Sequence, residues 1–198
     1  MFHAFLKQLK RPSGLLGIIV ARMMESRNRK YYDKAISFME IKNGERIFEI
    51  GYGPGVGIEL LARNYGCYIA GIDFSDLMYK KATERNKEFI DAGKVDLKYG
   101  NLLDSDLDSA KYDKVFCLNV IYFWNDLNKA FMKVSSLLND NGIYFIYMTT
   151  AEELTRLGFD KEFFKYSVEQ VESALRQAGF NKVEYEKDNG YYIKAWKC

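Results

Sequence analysis

The sequence predicts an α/β fold: a three-layer sandwich with helices on both faces of a seven-stranded, mostly parallel sheet that ends in an antiparallel hairpin. Three observations predict it. Ile47, Phe48 and Ile50 form a run of β-formers that stops at a glycine cluster, and Ile58, Leu60, Leu61 and Ala62 then follow in a helical pattern. Short apolar runs alternate with helical patterns as far as Met148, as a parallel sheet with crossover helices requires. Finally, Lys187-Asp188-Asn189-Gly190 reads as a hairpin turn between Lys182–Tyr185 and Tyr191–Lys197.

Bulk properties narrow the class. At 198 residues the chain fits one domain with a sizeable core, and 48% hydrophobic against 28% charged residues marks it as globular. A net charge of +2, from 29 basic and 27 acidic residues, gives no global field that calls for nucleic acid. The cysteines, Cys67, Cys117 and Cys198, are odd in number and lack metal spacing, which argues for a reducing, cytoplasmic compartment and against a metal site. The load of 15 tyrosines and 14 phenylalanines suits an apolar pocket or an aromatic core, the core being the plainer reading.

Residues 1–30 carry seven basic residues and one acid, Glu25, around the apolar run Gly14–Ala21. That run is too short to span a bilayer, which takes about 20 apolar residues, and Arg22 follows it where a leader would place a cleavage site. The segment reads as a basic amphipathic helix with Leu15, Ile18, Ile19 and Met23 on one side. It can serve as a lid, as packing, or as a weak peripheral membrane contact without stable insertion. A further helix is expected over 31–42, ending at Asn43-Gly44, with Tyr31, Tyr32 and Asp33 at its start.

The first strand runs into Glu49-Ile50-Gly51-Tyr52-Gly53-Pro54-Gly55-Val56-Gly57. A dinucleotide fingerprint, G-x-G-x-x-G, fails from Gly51 because position 56 is Val56, and from Gly53 because position 58 is Ile58. The next strand, Cys67–Asp73, ends in an acid eighteen residues past Gly55, the place of a ribose-binding carboxylate. Ser75 is placed to cap the following helix, read as continuous from Ser75 to Ala92. Taken alone, Asp73 reads better as a strand-end or cap acid.

Glu49-x-Gly51-x-Gly53-x-Gly55, followed by Gly71-x-Asp73-x-Ser75, resembles the first two motifs of class I S-adenosylmethionine (SAM)-dependent methyltransferases, in the small-molecule, quinone-biosynthesis-like branch. The resemblance covers about residues 40 to 198 and implies a Rossmann-like fold, SAM as cofactor and S-adenosylhomocysteine as product. It implies a methyltransferase domain over 41–198 and a helical cap or lid over 1–40. By resemblance, Glu49 orients the loop and the SAM ammonium, Gly51, Tyr52, Gly53 and Gly55 hold the methionine end, and Asp73 takes the ribose. Phe74 and Met78 would flank the adenine. In many members an aromatic or polar residue ahead of the first motif closes over SAM, a place open to Tyr31 or Tyr32, with packing the alternative.

The third strand, Val95–Tyr99, alternates enough to lie near an edge and leads to Gly100-Asn101-Leu102. The resemblance places an adenine contact at Asn101, with the Leu102 N–H beside it; Asp104 is a nearby substitute, and a plain Gly-Asn turn the alternative. The fourth strand, Tyr112–Asn119, ends in Asn119-Val120-Ile121-Tyr122-Phe123-Trp124. This frame lacks both prolines of the Asn-Pro-Pro-Tyr loop, which disfavours adenine or glutamine-amide acceptors. Asn119 would lie near the SAM methionine, with Tyr122 and Trp124 toward the acceptor or, alternatively, in the core. A helix capped by Asn125 or Asp126 and ended by Asn141-Gly142, a buried strand Ile143–Met148, an aromatic segment over 150–166 and a helix opened by Ser167-x-x-Gln170 complete the chain.

The expected function is methyl transfer from SAM to a small, apolar or aromatic acceptor, with no metal and no nucleic-acid partner. A nucleic-acid methyltransferase and a non-catalytic SAM-binding module are the alternatives. Tyr122 is a weak candidate for an acid/base or orienting role. The single histidine, His3, reaches the site only if the N-terminal tail folds over it.

Overall fold

The computed structural model describes Gly14, Arg29 and residues 31–107, 111–158 and 163–197. The readings of a basic amphipathic helix over residues 15–23 and of His3 lie outside the described residues. Seven strands form one mixed sheet of order β3-β2-β1-β4-β5-β7-β6, with β7 antiparallel to both β5 and β6. Rossmann-like topology with a terminal hairpin is therefore present. The chain divides into two compact units, Met1–Ser105 and Asp106–Cys198.

In the first unit, helix α1 covers residues 31–39 and ends where Glu40 takes a φ of 51°. Strand β1 (Arg46–Ile50) leads through the glycine turn into α2 (Val56–Asn64), then β2 (Tyr68–Asp73). Strands β1 and β2 pair in parallel, Glu49 opposite Gly71. Their near-total burial, Glu49 included, reflects coverage on both faces, which a central parallel strand requires. The helix expected over Ser75–Ala92 is two helices, α3 (Asp76–Arg85) and α4 (Lys87–Asp91). The break falls at Asn86, whose amide donates to the carbonyls of Ala82 (2.9 Å) and Gly55 (3.1 Å). A short amide side chain competing for backbone groups ends a helix in this way. Strand β3 (Val95–Tyr99) buries Val95 and Leu97 and exposes Asp96, as the edge position demands.

In the second unit, β4 (Tyr112–Leu118) is followed by a 3₁₀ turn (Ile121–Phe123), α5 (Leu127–Leu137), β5 (Leu138–Met148), α6 (Ala151–Arg156), α7 (Val168–Gln177), β6 (Phe180–Lys187) and β7 (Tyr191–Lys197). Asp126, not Asn125, caps α5, accepting from Lys129 N at 3.0 Å. Strand β5 begins directly at Leu138, before the expected Asn141-Gly142 stop. Leu138 pairs with Tyr112, and the register then shifts so that Ile143 faces Lys114. Part of the aromatic load is core: Phe131 meets Tyr144 at 5.7 Å, and Tyr144 meets Phe180 at 6.0 Å. The outer strand β6 carries Lys182, Glu184, Glu186 and Lys187, charges that discourage pairing at an edge. Among the described residues, no helix is long and apolar enough to cross a membrane.

Candidate cofactor site

The carboxyl ends of β1, β2 and β3 bring most of the expected residues into one place. At the end of β1 the chain turns through Gly51 (φ 71°), Gly53 (φ 54°) and Gly55 (φ 79°), backbone conformations that other residues adopt only with strain. The Gly51 N–H donates to Ile72 O at 2.7 Å, which stitches the loop to β2. A Cβ on Gly55 would fall 2.6 Å from Asn86 Nδ2 and 2.8 Å from Ala82 Cβ, so only glycine lets the loop lie against α3. A Cβ on Gly53 meets nothing within 4 Å; that part of the loop faces open space. No side chain caps α2, whose first turn begins at this loop.

Asp73 fastens the loop. Its Oδ2 accepts from Gly53 N at 2.9 Å and its Oδ1 from Ser75 N at 2.8 Å, with only 7% of the residue exposed. Burial pushes its carboxyl up to about 6, against the two backbone donors that favour the charged form. Ser75 caps α3 as expected, accepting from Met78 N.

Glu49 is buried at the end of β1. Its Oε1 accepts from the Tyr32 hydroxyl of α1 at 2.7 Å, and its Oε2 has no hydrogen-bond partner. Desolvation pushes this carboxyl up to about 8; the Tyr32 bond opposes the rise and the Asp73 charge adds to it. Tyr32 sits against α2 at Gly57, where a Cβ would come within 2.9 Å of the ring's Cδ1, closer still to Cε1, and 2.8 Å from Glu49 Oε2.

The remaining residues differ in what they present. Tyr52 lies wholly in the core; its ring covers Gly71 and its hydroxyl donates to Lys98 O at 3.0 Å, so its backbone alone belongs to the loop. Met78 and Leu102 are buried and Phe74 is half-buried. Asn101 is exposed and already paired within its turn, donating to Asp104 Oδ2 at 2.8 Å and accepting from Leu103 N at 3.2 Å. The two residues weighed as alternatives thus bond to each other.

In the second unit, Asn119 closes β4 with a left-handed φ of 57°. Its Oδ1 accepts from Thr149 Oγ1 (3.0 Å), Thr149 N (3.3 Å) and the Tyr122 hydroxyl (3.2 Å). The Tyr122 hydroxyl also donates to Thr149 O at 3.0 Å, so its single proton is shared between two acceptors. Trp124 is core, edge-on to Phe131. A half-buried aromatic ridge stands beside it, with Phe163 5.3 Å from Phe123 and 6.3 Å from Tyr122. The Phe164 N–H donates to Tyr122 O, and the Tyr166 hydroxyl to Trp124 O, which fixes the segment.

Sequence reasoning missed Asn86 and the pairing of Tyr32 with Glu49. Gly57, the fourth glycine in seven residues, was the available signal for the second. It serves no turn, since it is already helical, and so it had to make room for something.

Comparison with known proteins agrees with this geometry. The family profile described as a methyltransferase domain matches residues 48–146, half of the chain. An uncharacterised methyltransferase of Bacillus subtilis (strain 168), YdaC, is 28% identical over 173 residues, covering 87% of this chain and 91% of its own. A sterol 24-C-methyltransferase of Eremothecium gossypii is 24% identical over 71% of this chain, which spans only 41% of that relative's length. The fold is shared with Haemonchus contortus phosphoethanolamine N-methyltransferase 2 in complex with SAM, at a TM-score of 0.72 and 19% identity, over 83% of this chain and 52% of the other. It is shared also with a methyltransferase from a Haloferax volcanii complex with the activator Trm112, at a TM-score of 0.76 and 15% identity, over 89% and 92% of the two chains. With the glycine loop, the buried Glu49 and the loop-bound Asp73 at the ends of successive parallel strands, the chain belongs to the class I SAM-dependent methyltransferase family.

Proposed function

We propose that the protein transfers a methyl group from SAM to a small, apolar or aromatic molecule. The observation that carries the cofactor half of this reading is the buried, unpartnered Oε2 of Glu49 beside a loop that faces open space at Gly53. A desolvated oxygen with no donor costs free energy unless a ligand completes it, and an ammonium group is the donor that fits an acid. Glu49 would then face the ammonium end of SAM, and Gly51, Tyr52, Gly53 and Gly55 would hold the methionine portion by their backbone. Asp73 keeps accepting capacity beyond its two backbone bonds, since a carboxylate has about four lone-pair sites, and it would take the ribose hydroxyls. Phe74 and Met78 would flank the adenine, with Asn101 and the Leu102 N–H at its edge, and Asn119 would stand near the methionine portion.

SAM supplies an electrophilic methyl on a sulfonium; the chain's own task is to align an acceptor and exclude water. The half-buried ridge of Phe123 and Phe163 at the carboxyl end of β4 supports an apolar or aromatic acceptor. The relatives named for sterol and phosphoethanolamine support a small molecule as the acceptor class. Tyr122, with its proton shared between Asn119 and Thr149, is better suited to orienting than to accepting a proton. Cys67 and Cys117, both buried and in no disulfide, support a reducing, cytoplasmic location. The bond from Tyr32 to Glu49 supports reading the described residues 31–40 as part of a cap on a domain over 41–198; most of residues 1–30 lie outside the described residues.

Calorimetric titration with SAM, S-adenosylhomocysteine and NAD tests the reading. Binding of both adenosyl ligands and not NAD is expected. Binding of NAD with silence from SAM refutes it.

A further inference from the structure

We propose that Tyr32 is a positioning residue that presents Glu49 to the cofactor, and that SAM binding drives the Glu49 proton out to solvent. The inference rests on the cofactor reading above and goes beyond it, because it names a residue of α1 and a proton-coupled binding step.

The geometry is a built socket. Glu49 has one oxygen held by the Tyr32 hydroxyl at 2.7 Å and the other buried without a partner. The Tyr32 ring is itself seated where α2 carries Gly57, and any larger residue there would strike both Tyr32 and Glu49 Oε2. The seat fixes the hydroxyl, and the hydroxyl fixes which Glu49 oxygen remains for a ligand. Tyr32 stays a donor throughout the accessible pH range, because burial and the neighbouring Glu49 hold its phenol well above the usual value.

The charged surroundings explain the proton. From β2, Asp73 faces Glu49 with a like charge; from α1, Tyr32 offers a neutral donor; α2 meets it with the backbone of Gly57. Arg85 of α3 acts on Tyr32. Among the described residues no cation acts on Glu49 itself, and burial pushes its carboxyl up to about 8. An ammonium group arriving at Oε2 favours the carboxylate, so the proton leaves to solvent as the ligand binds. Tyr32 assists, since a donor to the carboxylate favours the charged form.

The test is titration of the full chain with SAM between pH 6.0 and 7.0, in buffers of different ionisation heat. The ligand's own α-amino group, with an ordinary value near 7.7–8.0, stays protonated there. The wild type is expected to release close to one proton per SAM bound and to gain about ten-fold in affinity per pH unit. Glu49→Gln is expected to bind more weakly, with no release and no pH slope. Tyr32→Phe keeps the ring on Gly57 and removes only the donor. It should weaken SAM several-fold in the wild-type background and not at all in the Glu49→Gln background.

Binding without proton release, release that persists in Glu49→Gln, or a Tyr32→Phe loss undiminished in the Glu49→Gln background overturns the inference. A merely structural role for Tyr32 gives the last of these. Failure of SAM to bind the wild type in either buffer is a different result: it refutes the cofactor reading, and the inference with it.

Discussion

Replacing Gly57 by alanine sets two effects of opposite sign against each other. Gly57 lies in the first turn of α2 with ordinary helical geometry, so helix propensity alone predicts a gain of up to about 1 kcal/mol. The packing predicts a loss. The new methyl would lie 2.8 Å from Glu49 Oε2 and within 2.9 Å of Tyr32 Cδ1. Relief requires the ring to move by about an ångström, and overpacking of this kind costs roughly 1–3 kcal/mol. Movement also breaks the 2.7 Å bond to Glu49 and leaves both carboxyl oxygens buried without a donor, a further cost of about 1–3 kcal/mol. The losses exceed the gain, for a net destabilisation near 3 kcal/mol. In a chain of this size that lowers the melting temperature by roughly 6–12 °C. Thermal and urea denaturation at pH 6 measure it. A Gly57→Ala protein as stable as the parent, or more so, refutes the seat of Tyr32 on α2 and the socket built from it. The double variant Tyr32→Ala/Gly57→Ala sharpens the result: with the ring gone, adding the methyl should cost little or help.

Two further predictions concern the carboxyls. Glu49 carries a folded value raised from 4.5 to about 8, so between those limits the folded chain holds a proton that the unfolded chain has lost. Its contribution to stability is therefore fully present below about pH 4.5 and is lost as pH rises toward 8, by at most roughly 5 kcal/mol. Denaturation midpoints of the ligand-free protein should fall across that window, and Glu49→Gln should leave only the smaller decline below about pH 6 that belongs to Asp73; a wild-type midpoint that is flat or rising from pH 6 to 8 contradicts the burial argument. Asp73→Ala removes the acceptor that fastens Gly53 and Ser75, and SAM affinity should drop by about 1.5–3 kcal/mol, the value of a hydrogen bond to a charged group. Unchanged affinity in a folded Asp73→Ala protein refutes the ribose assignment.

What was legible in the sequence was what short-range patterns encode. The turn at Gly51–Gly55 follows from glycines that the backbone uses at positive φ, and the central strands follow from apolar runs without alternation. The closing hairpin follows from Asn189-Gly190, where Asn189 takes the left-handed conformation. What was not legible depends on partners far apart in the chain. Asn86 looks like one more polar residue on a helix; it breaks that helix because the Gly55 carbonyl, 31 residues earlier, lies in reach of its amide. Tyr52 sits in the glycine motif, yet its side chain leaves the loop for the core because Gly71 gives it room. In each case the missing side chain of a glycine marks where a distant group is seated, and that signal lies in the sequence even though its partner does not.

The same logic separates the two acids of the site. Both are buried at strand ends, but each Asp73 oxygen holds a backbone donor, one from Gly53 of the loop after β1 and one from Ser75, whereas Glu49 is half satisfied by a helix that precedes the sheet. An acid with a backbone donor on each oxygen shapes the loop it holds whether or not a ligand is bound. One left with an orphan oxygen is favoured as a neutral acid until a cation arrives, and on the proposed assignment the ammonium group of SAM would be that cation. The carboxyl of Asp73 therefore holds the shape of the glycine loop, and on the proposed assignment the orphaned one would set the dependence of cofactor binding on pH.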